Sequence, residues 1–281
     1  MKLSILANHC HVFPEEVRPN GSVSRLLQLM DHCGITQAVT FAPFAYQLKG
    51  TSFEGNEWLE KQIRTEKERL IGFGTIDFSS TNIAAQVKRI ADMGFYGIKL
   101  HPAAQGFHLL SEKAYEVYQE AEKLGLFLSF HTGIHWHRLQ DYHVIHYDEI
   151  AYHFPKLKIS LEHVGGYHFF LDAVAVIVNN SRVREGKRVS NIYAGLTSVF
   201  DKDKNRYWYL GRDKLLDLLW QVGPDQLIFG LDFPYNQDDD VFPAIQTIKS
   251  LGLTPEQEHK ILGGNLSIAL GLENGKRVKE T

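Results

Sequence analysis

The chain has 281 residues, 44% of them apolar, and 30 Lys and Arg against 33 Asp and Glu give a formal net charge of −3. Near-neutral charge argues against nucleic acid or an anionic membrane as partner, and no apolar run is long enough to span a bilayer. The N-terminus is too short in apolar residues for a secretory signal, and the two cysteines, Cys10 and Cys33, form no disulfide framework, which points to the cytoplasm.

Apolar strand-like runs alternate with amphipathic helical runs, without a linker. Leu3–Ala7 is the first strand, and Ser22–Cys33 follows as a helix stopped by Gly34. Ala38–Ala42 is the second strand, followed by a helix over Glu54–Lys67. Leu70–Ile76 is the third strand, with Thr81–Met93 helical after it. Gly97–Leu100 is the fourth strand, with a Ser-capped helix over Ser111–Leu124. Leu126–Phe130 and Val144–His153 form the fifth strand and helix, Leu157–Leu161 and Phe169–Val178 the sixth. Ile192–Leu196 and Lys214–Val222 make the seventh pair, Leu227–Gly230 and Val241–Leu251 the eighth. Helical segments over Pro255–Leu262 and Leu266–Leu270 follow. Eight strand–helix units about thirty residues apart predict a single-domain (β/α)8 TIM barrel over residues 1–272, with 273–281 as a charged tail. An open doubly wound sheet lacks the GxGxxG turn that would support it.

In such a barrel the active site lies at the C-terminal ends of the strands. His9 and His11 end strand one, Lys99 and His101 strand four, His131 strand five, His163 strand six and Asp232 strand eight. Residues i and i+2 of a strand share a face, so His9 and His11 project together and Cys10 points away. Strands one and eight are neighbours once the barrel closes. His9, His11, His131 and Asp232 therefore form an expected metal site with a position left for water or substrate. His32, His143, His146, His153 and His259 lie in helical segments and read as surface or packing residues.

The motifs Asn8-His9-Cys10-His11, Gly97-Ile98-Lys99-Leu100-His101-Pro102, Phe130-His131-Thr132-Gly133, Glu162-His163-Val164-Gly165-Gly166, Phe229-Gly230-Leu231-Asp232-Phe233-Pro234 and Gly263-Gly264-Asn265-Leu266 occur in this order. Together they resemble the amidohydrolase superfamily, in the amidohydrolase-2 branch that includes aminocarboxymuconate-semialdehyde decarboxylase. The resemblance implies one divalent metal, Zn²⁺ first and Mn²⁺ or another transition metal second, held by His9, His11, His131 and Asp232. It gives Asp232 and His163 catalytic roles around a metal-activated water. It also implies a homodimer. Asn8 stands where an aspartate often precedes the histidine pair. Asn265 reads as a helix cap. Lys99 matches the position of a carboxylated lysine that bridges two metals in dinuclear relatives; a substrate-carboxylate cation or a buried ion-pair partner is the preferred role.

The loops set specificity. Phe44, Tyr46, Phe53 and Trp58 follow strand two; His135, Trp136, His137 and Arg138 follow strand five; Phe200, Arg206, Tyr207, Trp208 and Tyr209 follow strand seven. Aromatics beside basic groups suit a planar acid, which makes Lys99, His101, Trp136, Arg138 and Arg206 candidate substrate contacts. The expected activity is metal-dependent hydrolysis of a small cyclic, lactone, amide or carboxylate-bearing molecule. Nonoxidative decarboxylation of an aromatic or muconate-type acid is the alternative, and a catalytically inactive ligand-binding barrel is the alternative from another class.

Overall fold

A computed structural model describes residues 4–184, 187–273 and 276–277. Eight parallel strands close into a barrel: β1 (Leu6–His11), β2 (Gln37–Phe41), β3 (Leu70–Gly74), β4 (Gly97–Leu100), β5 (Phe127–His131), β6 (Ile159–Glu162), β7 (Ile192–Leu196) and β8 (Leu227–Phe233). The first and last strands pair, with Asn8 opposite Gly230 and Cys10 opposite Phe233. Eight helices cover the outside: α1 (Val23–Cys33), α2 (Gly55–Ile63), α3 (Ile83–Asp92), α4 (Glu112–Leu124), α5 (His146–His153), α6 (Gly166–Asn179), α7 (Gly211–Val222) and α8 (Asp238–Lys249).

Local sequence sets these limits. Ser22 and Ser111 accept the backbone N–H of Arg25 and Ala114 and so start α1 and α4. Gly34 and Gly125 end the same helices in the left-handed conformation. Two apolar layers result. One, including Ala7, Cys10, Leu26, Val87, Leu128 and Ile245, lies between strands and helices. The other fills the barrel, with Leu6, Val39, Phe41, Phe73, Phe127 and Ile228, and is plugged at its lower end by Leu266 and Leu270.

The fourth and seventh strands match expectation residue for residue. The first begins later and runs through both histidines, because pairing with β8 continues to Cys10 and pairing with β2 to His11; Leu3, assigned to it from sequence, lies outside the described residues. Most of the 273–281 tail lies outside them too. Asn265 follows the helical turn Lys260–Gly264 and donates its backbone N–H to the Lys260 carbonyl, as a cap residue does. Its side chain does other work, donating its amide to the carbonyls of Pro224 at 2.7 Å and Leu227 at 2.8 Å and bracing the start of β8. Among the described residues, no helix is long and apolar enough to cross a membrane.

Candidate metal centre and active site

The centre begins with an irregularity in β1. The register of that strand shifts between Ala7 and Cys10, and His9 takes a left-handed φ of 66°. The bulge turns Asn8 and His9 both toward the barrel axis, which strict alternation forbids. Cys10 is fully buried in the outer layer, as expected. His163, Val164, Ser198 and Asp232 also adopt positive φ, at 63°, 48°, 53° and 56°. Non-glycine strain of this kind collects where surrounding structure enforces a functional geometry. Here it sits at the outlets of β1, β6, β7 and β8, and at Trp136, with φ 62°, in the loop after β5.

Three side chains converge. His9 Nε2 lies 3.1 Å from His11 Nε2 and 3.4 Å from Asp232 Oδ1, and His11 Nε2 lies 4.0 Å from the same oxygen. Atoms so spaced lie on a circle of radius about 2.1 Å, the length of a bond from a divalent transition metal to nitrogen or oxygen. Two borderline-soft nitrogens and one carboxylate oxygen suit such an ion. Among the described residues, these three form the His, Cys, Asp or Glu group whose ligand atoms all approach within 4.8 Å of one another.

Hydrogen bonds fix the state of each ring. His9 donates Nδ1–H to Glu162 Oε2 at 2.9 Å, so Nε2 keeps its lone pair for the centre. Glu162 is fully buried and also accepts from Asn8 at 2.8 Å, Ser129 at 3.2 Å, Thr197 at 2.8 Å, and Ser160. Gly195 makes room for it, since a Cβ there would stand 2.5 Å from Glu162 Oε2. Sequence reading gave Glu162 no role; the signal was an acid on the inward register of a strand, immediately before a histidine. His163 donates Nδ1–H to the Thr197 carbonyl at 2.7 Å and stacks on Trp208 at 4.5 Å, leaving the Nε2 lone pair free. Asp232 accepts from Ser198 at 2.6 Å through Oδ2, which leaves Oδ1 for the triad, and Asn236 donates to Ser198 at 2.9 Å.

Burial dominates the electrostatics. It holds His9, His11, His101 and His131 well below the usual imidazole range, helped by neighbouring cationic groups, and takes His163 down to about 3. Burial lifts Asp232 to about 6 against the Ser198 hydrogen bond and the Lys99 charge. It pushes Lys99 down to about 8 against the pull of Glu162 and Asp232. Lys99 is 1% exposed, with Nζ 3.4 Å from His9 Nε2. It lies beneath the triad as a buried cation.

The other expected residues are placed differently. His131 stands beside the triad rather than in it. Its Nε2 donates to the Gly133 carbonyl at 3.2 Å, leaving a lone pair on Nδ1, and its ring lies 4.8 Å from that of His163. His101 stacks on His131 at 4.0 Å. Trp136 is 74% exposed against Tyr207. Arg138 is exposed, paired with Asp141 at 3.1 Å, and lines a cavity of about 360 Å³ with Phe107, His108, His143 and His146 rather than facing the triad. Arg206 is exposed. The cation at the rim is Arg18, which sequence reading passed over. It is half-buried, with its guanidinium 4.4 Å above the Tyr235 ring, which lies 5.8 Å from His11. Among the described residues no carboxylate pairs with it. Phe44, 6.4 Å from His11, and Tyr46, stacked on Phe44, extend this aromatic wall.

Solved structures share this architecture. The 5-carboxyvanillate decarboxylase of Sphingomonas paucimobilis is 16% identical, with a TM-score of 0.70 over 97% of this chain and 100% of that one. A dihydroxybenzoic acid decarboxylase from a Polaromonas species, solved with manganese and 2-nitroresorcinol, is 14% identical, with a TM-score of 0.69 over 97% and 98%. A Pseudomonas putida protein described as a 2-pyrone-4,6-dicarboxylic acid hydrolase is 16% identical, with a TM-score of 0.68 over 97% and 99%. At these identities the likeness is one of fold. The family model described as Amidohydrolase, the amidohydrolase-2 model, matches residues 9–265 and so takes in every member of the triad. With that match and a two-histidine, one-aspartate centre that fits a divalent metal ion, the chain belongs to the amidohydrolase family.

Proposed function

We propose that this amidohydrolase is a metal-dependent hydrolase of a small cyclic, lactone, amide or carboxylate-bearing substrate. The observation that carries the reading is the triangle of His9, His11 and Asp232 with bond-length spacing at the barrel mouth. Zinc is the expected ion, with manganese second; such an ion lowers the pKa of water and polarises a carbonyl. Asp232, with Oδ1 at the centre and Oδ2 held by Ser198, is placed to take a proton from water and return it to a leaving group. His163, neutral and with its Nε2 lone pair free, accepts a hydrogen bond from a water or substrate hydroxyl and orients it.

Nonoxidative decarboxylation of an aromatic or muconate-type acid is the second reading. The rim favours it: Arg18, which no carboxylate among the described residues pairs, stands beside the aromatic faces of Phe44, Tyr46 and Tyr235 and suits a planar carboxylate. An inactive ligand-binding barrel is the less favoured third reading, since Asp232 and His163 are both present. The enzyme is taken to work in the cytoplasm, in line with two buried free thiols, and as a homodimer, in line with exposed Tyr167 and Leu171 on α6 and Trp220 on α7.

The test is metal analysis of the purified protein, chelation, and re-addition of Zn²⁺ or Mn²⁺ during a screen of lactones, amides and aromatic acids. Chelation is expected to abolish turnover and one of the ions to restore it. Ring opening identifies a hydrolase and carbon dioxide release a decarboxylase. Full turnover in stripped protein would overturn the proposal.

A further inference from the structure

The histidines on the β4–β5 side of the mouth have no role in the chemistry above, yet their hydrogen bonds are just as directional. His101 caps the short helix Pro102–Gln105. Its Nδ1 accepts the backbone N–H of Ala104 at 3.2 Å, and its own backbone N–H is donated to the Gln105 side chain at 2.7 Å. A ring nitrogen that accepts carries no proton, so the His101 proton sits on Nε2. That nitrogen is 3.3 Å from His135 Nδ1. His135 must then accept through Nδ1 and carry its own proton on Nε2. The donors run one way, from Ala104 to His101 to His135, and end in an N–H with no partner among the described residues.

The end of this chain is held in place. The backbone N–H groups of His135 and His137 both donate to the Tyr142 hydroxyl, at 2.7 Å and 3.0 Å. The His135 ring lies 5.4 Å from that of His131 and 6.1 Å from that of Trp208, and it is half-buried at the rim. Burial, then His137 and Lys99, keep it below the usual imidazole range and hence uncharged at neutral pH.

We propose that His135 binds substrate by donating Nε2–H, as a neutral imidazole, to an oxygen acceptor, and that His101 is the positioning residue that fixes which nitrogen bears the proton. The inference rests on the reading of the centre as an enzyme site. A fixed, uncharged N–H at the rim favours a carbonyl, lactone, phenolate or carboxylate oxygen on the substrate and needs no reorientation when the substrate arrives.

The experiment uses metal-loaded enzyme labelled with ¹⁵N at histidine, with 2,6-dihydroxybenzoate as the probe acid. Imidazole nitrogen shifts are expected to place the proton of both His101 and His135 on Nε2. His101→Asn keeps a side-chain acceptor for Ala104 but cannot reach His135, so it should release the His135 proton to both nitrogens. His135→Leu should weaken probe binding about 10-fold, while His135→Gln, which keeps an N–H donor, should retain most of it. Metal content and melting temperature should stay at wild-type values in all three variants, which separates positioning from folding. A wild-type His135 protonated on Nδ1, wild-type affinity in His135→Leu, or no measurable probe binding by the wild type would each overturn the proposal. Absence of metal-dependent turnover in the wild type would instead overturn the enzyme reading.

Discussion

The two sides of the barrel mouth use one residue type for opposite ends. On the β1 and β6 side, His9 and His163 each give their Nδ1 proton to an oxygen of the wall and turn a bare Nε2 inward. On the β4–β5 side, His101 and His135 each accept at Nδ1 and present Nε2–H. The first pair offers electron pairs to a cation or an incoming proton; the second relays its donors to the His135 Nε2–H, which is left for an anion or a carbonyl. Counting histidines does not distinguish them. What distinguishes them is the partner of the other nitrogen: Glu162 and the Thr197 carbonyl on one side, the Ala104 amide on the other.

The comparison breaks most sharply at Glu162. In Glu162→Gln the side-chain oxygen can still face His9, but the new amide must then meet Asn8, Ser129 and Ser160, which already donate to that position. Metal affinity is expected to fall about 10- to 100-fold with the fold retained, measured by competition with a chelating dye. Unchanged affinity would remove Glu162 as the group that sets the state of His9.

A pH titration of metal-free protein sharpens the same contrast. His163 has a folded pKa of about 3, below its unfolded value, so its neutral form costs nothing above pH 6.5. As pH falls from 6.5 towards 3 the unfolded chain gains a proton that the folded one refuses, and stability drops, by about 2 kcal/mol at pH 5 from this ring alone. Asp232 acts with opposite sign: its folded pKa of about 6 lies above the unfolded value, so it adds stability as pH falls from about 6 towards 3.8. His9, His11, His101 and His131 shift the same way as His163 and outweigh it. Urea midpoints should therefore decline from pH 7 to pH 5, and a flat profile would contradict the buried neutral rings.

Arg18 adds a third, permanently charged part of the rim. Arg18→Ala should raise KM for a carboxylate substrate about 10-fold with little change in kcat. Arg138→Ala, which breaks an exposed pair with Asp141 away from the triad, should leave both constants near wild type. Steady-state kinetics of the two variants side by side decide which arginine reads the acid.

What the sequence made legible was position along strands. Apolar runs ending in His9, His11, His131, His163 and Asp232 identify a barrel, and a barrel fixes the end where they meet. What stayed hidden depends on long-range registry and on departures from regular alternation. Asn8 faces inward only because β1 bulges at His9, and it meets Glu162 across 154 positions of sequence. Arg138 and Arg206 look like a clamp because they sit among aromatics, but a local pair with Asp141 occupies the first and the second is exposed. Arg18 sits among acids and prolines in sequence, and the fold alone brings it over Tyr235.

Closure of the barrel joins its first strand to its last. The two imidazoles of the triad thus leave the ribosome ahead of the carboxylate that completes their set, by the 221 positions that separate His11 from Asp232. A nascent or truncated chain displays a histidine pair with nothing to finish it, so uptake of the ion reports that the cylinder has shut. Such late pairing of distant segments is also the step that topology makes slow.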